Sequence, residues 1–169
     1  MDMIFEKIDD FILQSQRSYS KFCRIKLKTI ILIMYGSGIR SGEILGLQWK
    51  DIDFNKNIID INKSVRDGRI KSTKNEYSER KIQITKECKI GLEILKELRN
   101  NNFNKEDFLL LTQYGNMYDC SQSINKLWKT FLDFCKIDKR NIYNLRHTFA
   151  TTMIQNGLDV VSVSKIMGH

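Results

Sequence analysis

The chain has 169 residues, a mass of 19.9 kDa, a formal net charge of +8 and a pI near 9.3. Hydrophobic residues make up 41% and charged residues 28%, a globular balance for one ordinary domain that excludes a disordered chain. No apolar run reaches the ~18 residues of a membrane helix, and the acidic, amphipathic residues 1–10 lack the basic-then-apolar order of a signal peptide. The expectation is a cytoplasmic protein. Cys23, Cys88, Cys120 and Cys135 are widely spaced and only His147 and His169 could join them, so buried free thiols are expected and a metal site is not. The charge points to a polyanion, either nucleic acid or an anionic membrane.

In chain order, Ile4, Ile8, Phe11 and Ile12 recur at helical spacing. A second periodic segment runs from Lys21 to Tyr35 through Phe22, Ile25, Leu27, Ile30, Ile31 and Met34, and Gly36 and Gly38 are expected to break it. Ser41 is a candidate N-cap for a short helix carrying Glu43, Ile44, Leu45 and Leu47. From Trp49 the period changes. Ile58, Ile59 and Ile61 read as a strand, Arg66 to Arg69 as a turn, Arg69 to Ser72 as its return, and Arg80 to Thr85 as a strand with Ile82 and Ile84 on one face. This sheet is basic, with seven Lys or Arg against three acids between Lys63 and Lys81. Lysines on a sheet edge also discourage edge-to-edge association, so the pattern alone leaves both readings open.

Helices then resume. Thr85 can cap a segment carrying Ile90, Ile94, Leu95 and Leu98, which ends at Asn100-Asn101-Asn102. Ser121 can cap another, with Ile124, Leu127, Trp128, Phe131, Leu132 and Cys135 as a core stripe. Asn144 is a candidate cap for a helix with Leu145, Phe149, Met153 and Ile154 on its core face, stopped by Gly157; Asp159 starts the last helix and Gly168 closes it. The predicted fold class is α+β, mainly α-helical with a small antiparallel β-sheet or hairpin.

Arg146 falls in the first turn of its helix, where unpaired N–H groups favour an anion, and Arg40 lies at a glycine-rich turn just before another helix. Two arginines on one phosphodiester would stabilise a five-coordinate phosphoryl transition state, each well-aimed donor contributing roughly 2.7–4 kcal/mol. Position alone would equally allow surface arginines paired with acids.

The wording of four segments decides between these. Gly36-Ser37-Gly38-Ile39-Arg40-Ser41-Gly42-Glu43-Ile44 resembles the first arginine box of the tyrosine recombinase (phage integrase) family. Leu145-Arg146-His147-Thr148-Phe149-Ala150-Thr151 resembles the second box, and Met167-Gly168-His169 the end of the third. Lys74, followed by Ser78, Arg80 and the alternating Ile82 and Ile84, resembles the hairpin lysine. Order and spacing agree over roughly residues 25–169.

The resemblance implies a tyrosine-recombinase catalytic-domain fold and site-specific cleavage and rejoining of DNA through a 3′-phosphotyrosyl intermediate, with no metal or other cofactor. By match, Arg40 and Arg146 would clamp the phosphate and Lys74 would protonate the leaving 5′-oxygen. His169 would hydrogen-bond the phosphate and help deprotonate the nucleophile. Glu43 would orient its neighbours, the alternative being a surface carboxylate. Tyr143 stands where the family has His or Lys; a phenol donates a hydrogen bond but, with a pKa near 10, is a poor base at neutral pH. Lys63, Arg66, Arg69, Lys71 and Arg80 are the candidate DNA-binding residues, and His147 is expected to face a neighbouring segment as a structural residue.

None of Tyr19, Tyr35, Tyr77, Tyr114, Tyr118 and Tyr143 matches the nucleophile, which the family carries beyond its third box. The expectation is therefore one catalytic domain over 1–169, cut before the nucleophile segment and without the N-terminal core-binding domain, binding DNA weakly and cleaving nothing alone. Expected partners are a double-stranded recombination site and other protomers in a tetramer. The alternative is a DNA-binding relative of the same fold without catalysis. A membrane-binding reading lacks the amphipathic basic helix it would need.

Overall fold

The computed structural model describes residues 2–72 and 79–168; the predicted site residues Lys74 and His169 lie outside them. Helix α1 (Asp2–Leu13) buries the Ile8–Phe11–Ile12 face and leads to α2 (Ser18–Ser37), the longest helix of the fold. On α2, Leu27, Ile30, Ile31, Ile33 and Met34 are buried around most of the circumference, as befits a helix covered on several sides. It packs on α4 (Lys86–Leu98), α6 (Asn144–Gln155), α1 and α5 (Gln122–Phe134). Gly36 does not break α2. A side chain there would sit 2.4 Å from the Thr85 hydroxyl, so the glycine lets the start of α4 approach, and the helix instead ends at Gly38 in the left-handed conformation.

The α2 end is followed by α3 (Ser41–Gly46) and one 3₁₀ turn, Trp49–Asp51. Two residues of the boundary readings move by one position: Arg40, not Ser41, occupies the N-cap of α3, and Tyr143, not Asn144, that of α6. Thr85 and Asp159 cap as expected, accepting from the backbone N–H groups of Cys88 (3.3 Å) and Ser162 (2.9 Å).

Strands β1 (Ile52–Asp53), β2 (Ile58–Ile61) and β5 (Arg80–Gln83) form an antiparallel sheet in which Ile52, Ile59 and Ile82 lie side by side in the core. Strands β3 (Lys63–Arg66) and β4 (Arg69–Ser72) form a separate hairpin. Its turn, Asp67-Gly68, has φ of 53° and 69°, the two-residue type I′ pattern that matches strand twist.

Helix α7 (Val160–Met167) is held by a small cluster of its own, Phe149 of α6 with Val163 and Met167, beside the main core. Cys88 and Cys135 are buried, whereas Cys23 and Cys120 are half-exposed, so only two of the four thiols meet the expectation of burial. The helical stripes supply enough apolar surface for the core without them. Among the described residues no helix is long and apolar enough to cross a membrane.

Ile33 is fully buried against Gly91 of α4. Ile33→Ala should cost about 2–5 kcal/mol, read as a lower urea midpoint at unchanged slope.

Candidate active site

Four segments distant in sequence meet at the C-terminal end of α2. After Gly38 the chain runs extended through Arg40 (φ −76°, ψ 151°) before α3 begins. Glu43, three residues on and 2% exposed, accepts the Arg40 backbone N–H at 2.9 Å and the Arg40 Nη1 at 2.7 Å. Arg80, at the start of β5, reaches the same carboxylate: its Nη1 donates to Oε1 at 3.1 Å and its Nη2 to Oε2 at 2.9 Å. Burial alone would raise the Glu43 pKa. The hydrogen bonds and charge of Arg80, then the bonds from Arg40, outweigh it and hold the carboxyl below its usual value.

Arg146, in the first turn of α6, is 0% exposed, with Nη1 donating to Gly38 O at 2.5 Å and Nη2 to Met167 O at 2.6 Å. Burial, and next the charge of Arg40, push its pKa down to about 10, which still leaves it protonated at neutral pH. Arg40 Nη2 donates to Gly168 O at 2.9 Å and Arg80 Nε to Ile166 O at 2.7 Å. Three successive carbonyls at the end of α7 thus each accept from a different arginine. These are the carbonyls a helix leaves without intrahelical partners, at its negative end.

The structure therefore brings together Arg40, Glu43 and Arg146 of the predicted set. The Arg40 side chain is 30% exposed and faces solvent at this cluster. Tyr143, half-buried at the N-cap of α6, stands one turn before Arg146 and sets its ring edge-on to His147, with centroids 5.2 Å apart. His147 is exposed against that ring rather than facing a neighbouring segment, because one helical step turns it about 100° away from Arg146.

The five predicted DNA-contacting residues divide. Pairing of Arg66 with Arg69 and Ser64 with Lys71 puts Arg66, Arg69 and Lys71 on one exposed face of the β3–β4 hairpin. Lys63 lies on the other face with buried Val65, and its Nζ pairs with Asp51 Oδ2 at 2.6 Å. Arg80 shares the inward face of β5 with Ile82 and belongs to the buried cluster. The clue lay in the alternation: Arg80 has the parity of Ile82 and Ile84, and Lys63 that of Val65.

Comparison with known proteins adds to this geometry. The profile of the phage integrase family matches residues 6–169. The tyrosine recombinase XerA of Saccharolobus solfataricus is 32% identical over 157 residues, covering 93% of this chain and 46% of its own length. The XerC-like tyrosine recombinase of Caldanaerobacter subterraneus subsp. tengcongensis is 28% identical over 167 residues, covering 85% and 42%. Among solved structures, the Tn1549 transposon integrase in complex with transposon right end DNA superposes with a TM-score of 0.78 at 24% identity, over 98% of this chain and 56% of that one. The lambda integrase catalytic core gives 0.65 at 12% identity, over 99% and 92%. The fold is that of a tyrosine-recombinase catalytic domain. The chain belongs to the phage integrase family, the tyrosine recombinases, and spans less than half the length of the curated relatives it matches.

Because the Glu43 pKa is lower in the folded than in the unfolded chain, the stability it supplies is present above the unfolded value of about 4.3. That stability is lost as pH falls through the depressed folded value. Glu43→Gln should flatten the acid limb of a stability–pH curve below pH ~4, and at neutral pH should cost about 3–5 kcal/mol by leaving Arg80 buried opposite a neutral group.

Proposed function

We propose that the protein cleaves and rejoins duplex DNA at a specific site through a 3′-phosphotyrosyl intermediate, with residues 1–169 supplying its phosphate-binding and proton-transfer groups. The observation that carries this reading is the convergence of Arg40 and Arg146 on adjacent carbonyls, with Arg40 open to solvent. In the reaction a tyrosine oxygen attacks the scissile phosphorus, a P–O(Tyr) bond forms and the P–O5′ bond breaks. By resemblance, His169 assists removal of the tyrosine proton and Lys74 gives a proton to the departing 5′-oxygen. The nucleophile is a tyrosine outside residues 1–169. Arg40 is the first guanidinium an arriving phosphate meets; Arg146 joins it when the end of α7 yields the Met167 carbonyl. The extra negative charge of the transition state then falls between two fixed cations.

The exposed Arg66–Arg69–Lys71 face of the hairpin lies against the DNA backbone. Arg66 and Arg69 stand directly opposite each other, a like-charge pair that Asp67, 3.5 Å from Arg66 Nε, offsets in part and a polyanion would offset further. Tyr143 keeps a hydrogen-bonding role towards the phosphate and transfers protons poorly. Strand exchange takes place in a tetramer on paired sites. One feature favours a second reading, a DNA-binding relative without cleavage: Tyr143 replaces the family's basic residue beside a covered Arg146.

Two measurements test these readings. Duplex affinity of the chain should fall linearly with log salt, and Arg66→Ala or Arg69→Ala should each lower the log–log slope by about 0.9. The full-length protein, mixed with nicked duplexes of randomised sequence, should form a denaturant-resistant covalent adduct. Lys74→Ala should lower the adduct yield while leaving affinity unchanged. Binding without any adduct would establish the second reading.

A further inference from the structure

We propose that Arg80 is a positioning residue of the phosphate site: a buried strut that ties Glu43 to the end of α7 and so keeps Arg40 free to meet a phosphate. The proposal rests on the phosphate reading of Arg40 given above.

Among the described residues, three bonds define the strut. Nη1 and Nη2 of Arg80 fork onto the two oxygens of Glu43 at 3.1 and 2.9 Å, and Nε reaches Ile166 O at 2.7 Å. The Arg80 side chain is 7% exposed. Such a group contributes little as a surface charge, and its planar fork, rather than its charge alone, matches this set of acceptors. Gly168 completes the fit. A side chain there would lie 2.8 Å from Arg80 Nη1, so the glycine before His169 leaves the space that the guanidinium fills.

The consequence for Arg40 follows from sharing. Glu43 accepts one Arg40 guanidinium nitrogen, Nη1, on Oε1, an oxygen it shares with Arg80 Nη1, while Oε2 accepts Arg80 Nη2 and the Arg40 backbone N–H. Without Arg80, both carboxylate oxygens could close on the Arg40 fork and draw it inward, in competition with the bond from Nη2 to Gly168 O. The end of α7 would also lose one of its three arginine anchors. That matters because its apolar attachment is only the small cluster of Phe149, Val163 and Met167. Arg80 therefore acts on phosphate through Arg40 and α7 without touching it.

The test is a titration of the isotope-labelled chain with inorganic phosphate, following the Arg40 Nε–Hε NMR signal well below the melting transition. The wild type should give a saturable shift. Arg80→Lys, which keeps the charge but not the fork, and Arg80→Gln should weaken the apparent phosphate affinity about tenfold, while affinity for a duplex of about 20 base pairs, carried by the hairpin face, changes less than about twofold. A merely structural Arg80 would lower the melting temperature and leave the phosphate affinity of the folded protein unchanged. Glu43→Gln/Arg80→Gln, which strands no buried charge, covers the case in which the single variants do not fold; it should melt near the wild type and still bind phosphate weakly. Wild-type phosphate affinity in Arg80→Lys or in the double variant overturns the proposal. Arg40→Gln separates the two levels: if it binds phosphate as well as the wild type does, the phosphate reading of Arg40 fails, whatever Arg80 does.

Discussion

The site depends on one buried carboxylate shared by two guanidinium groups. Glu43 lies at hydrogen-bonding distance from both Arg40 and Arg80, and removing it leaves the buried Arg80 guanidinium without its counter-charge. Arg146 adds a further positive charge, so among the described residues three guanidinium groups gather around the Glu43 carboxylate. The carbonyl end of α7 adds negative potential as partial charges. An anion arriving at Arg40 meets these cations already fixed in place.

That constraint explains why elements so far apart in sequence have to meet. The end of α2 supplies the Gly38 carbonyl that holds Arg146, and the start of α3 supplies Arg40 and Glu43. Strand β5 supplies Arg80, while the first turn of α6 supplies Arg146 and the last turn of α7 the acceptors. Each is an element terminus, where backbone groups lack intrahelical or ladder partners and can be shared. The long α2 fixes their mutual positions, since it packs on both α4 and α6. The β3–β4 hairpin packs on α3, turns Lys63 inward to Asp51 and presents Arg66, Arg69 and Lys71 outward. The molecule therefore combines an internal cluster that sets geometry with an external ribbon that supplies charge.

Much of this was legible in the sequence because it followed period and punctuation. The α1 and α5 stripes, the Asp67-Gly68 turn, the Thr85 and Asp159 caps and the αL glycines at 38 and 168 all lie where local rules place them. The family wording around Arg40 and Arg146 led to the two arginines that converge. Composition misled where alternation would have served. Arg80 and Lys63 looked like members of a basic surface by composition, yet their parity with Ile82 and Val65 turns them inward, and only the fold shows that Glu43 and Asp51 receive them. Likewise Gly36 reads as a helix breaker until the approach of α4 is known, and that approach is tertiary information. Lys26 shows the same limit: its contact with the Phe22 ring, 4.1 Å from the centroid, follows helical i,i+4 spacing, but its burial on α2 and its bond to Leu111 O do not follow from its neighbours in sequence.

The most direct test of this account is a crystal structure of the protein on a nicked duplex. The expected result is a backbone phosphate within hydrogen-bonding distance of Arg40, with the Glu43–Arg80 pair unchanged and Arg146 turned from Met167 O towards the same phosphate. A duplex held by the hairpin alone, with Arg40 and Arg146 still bonded to the α7 carbonyls and no phosphate beside them, would contradict it.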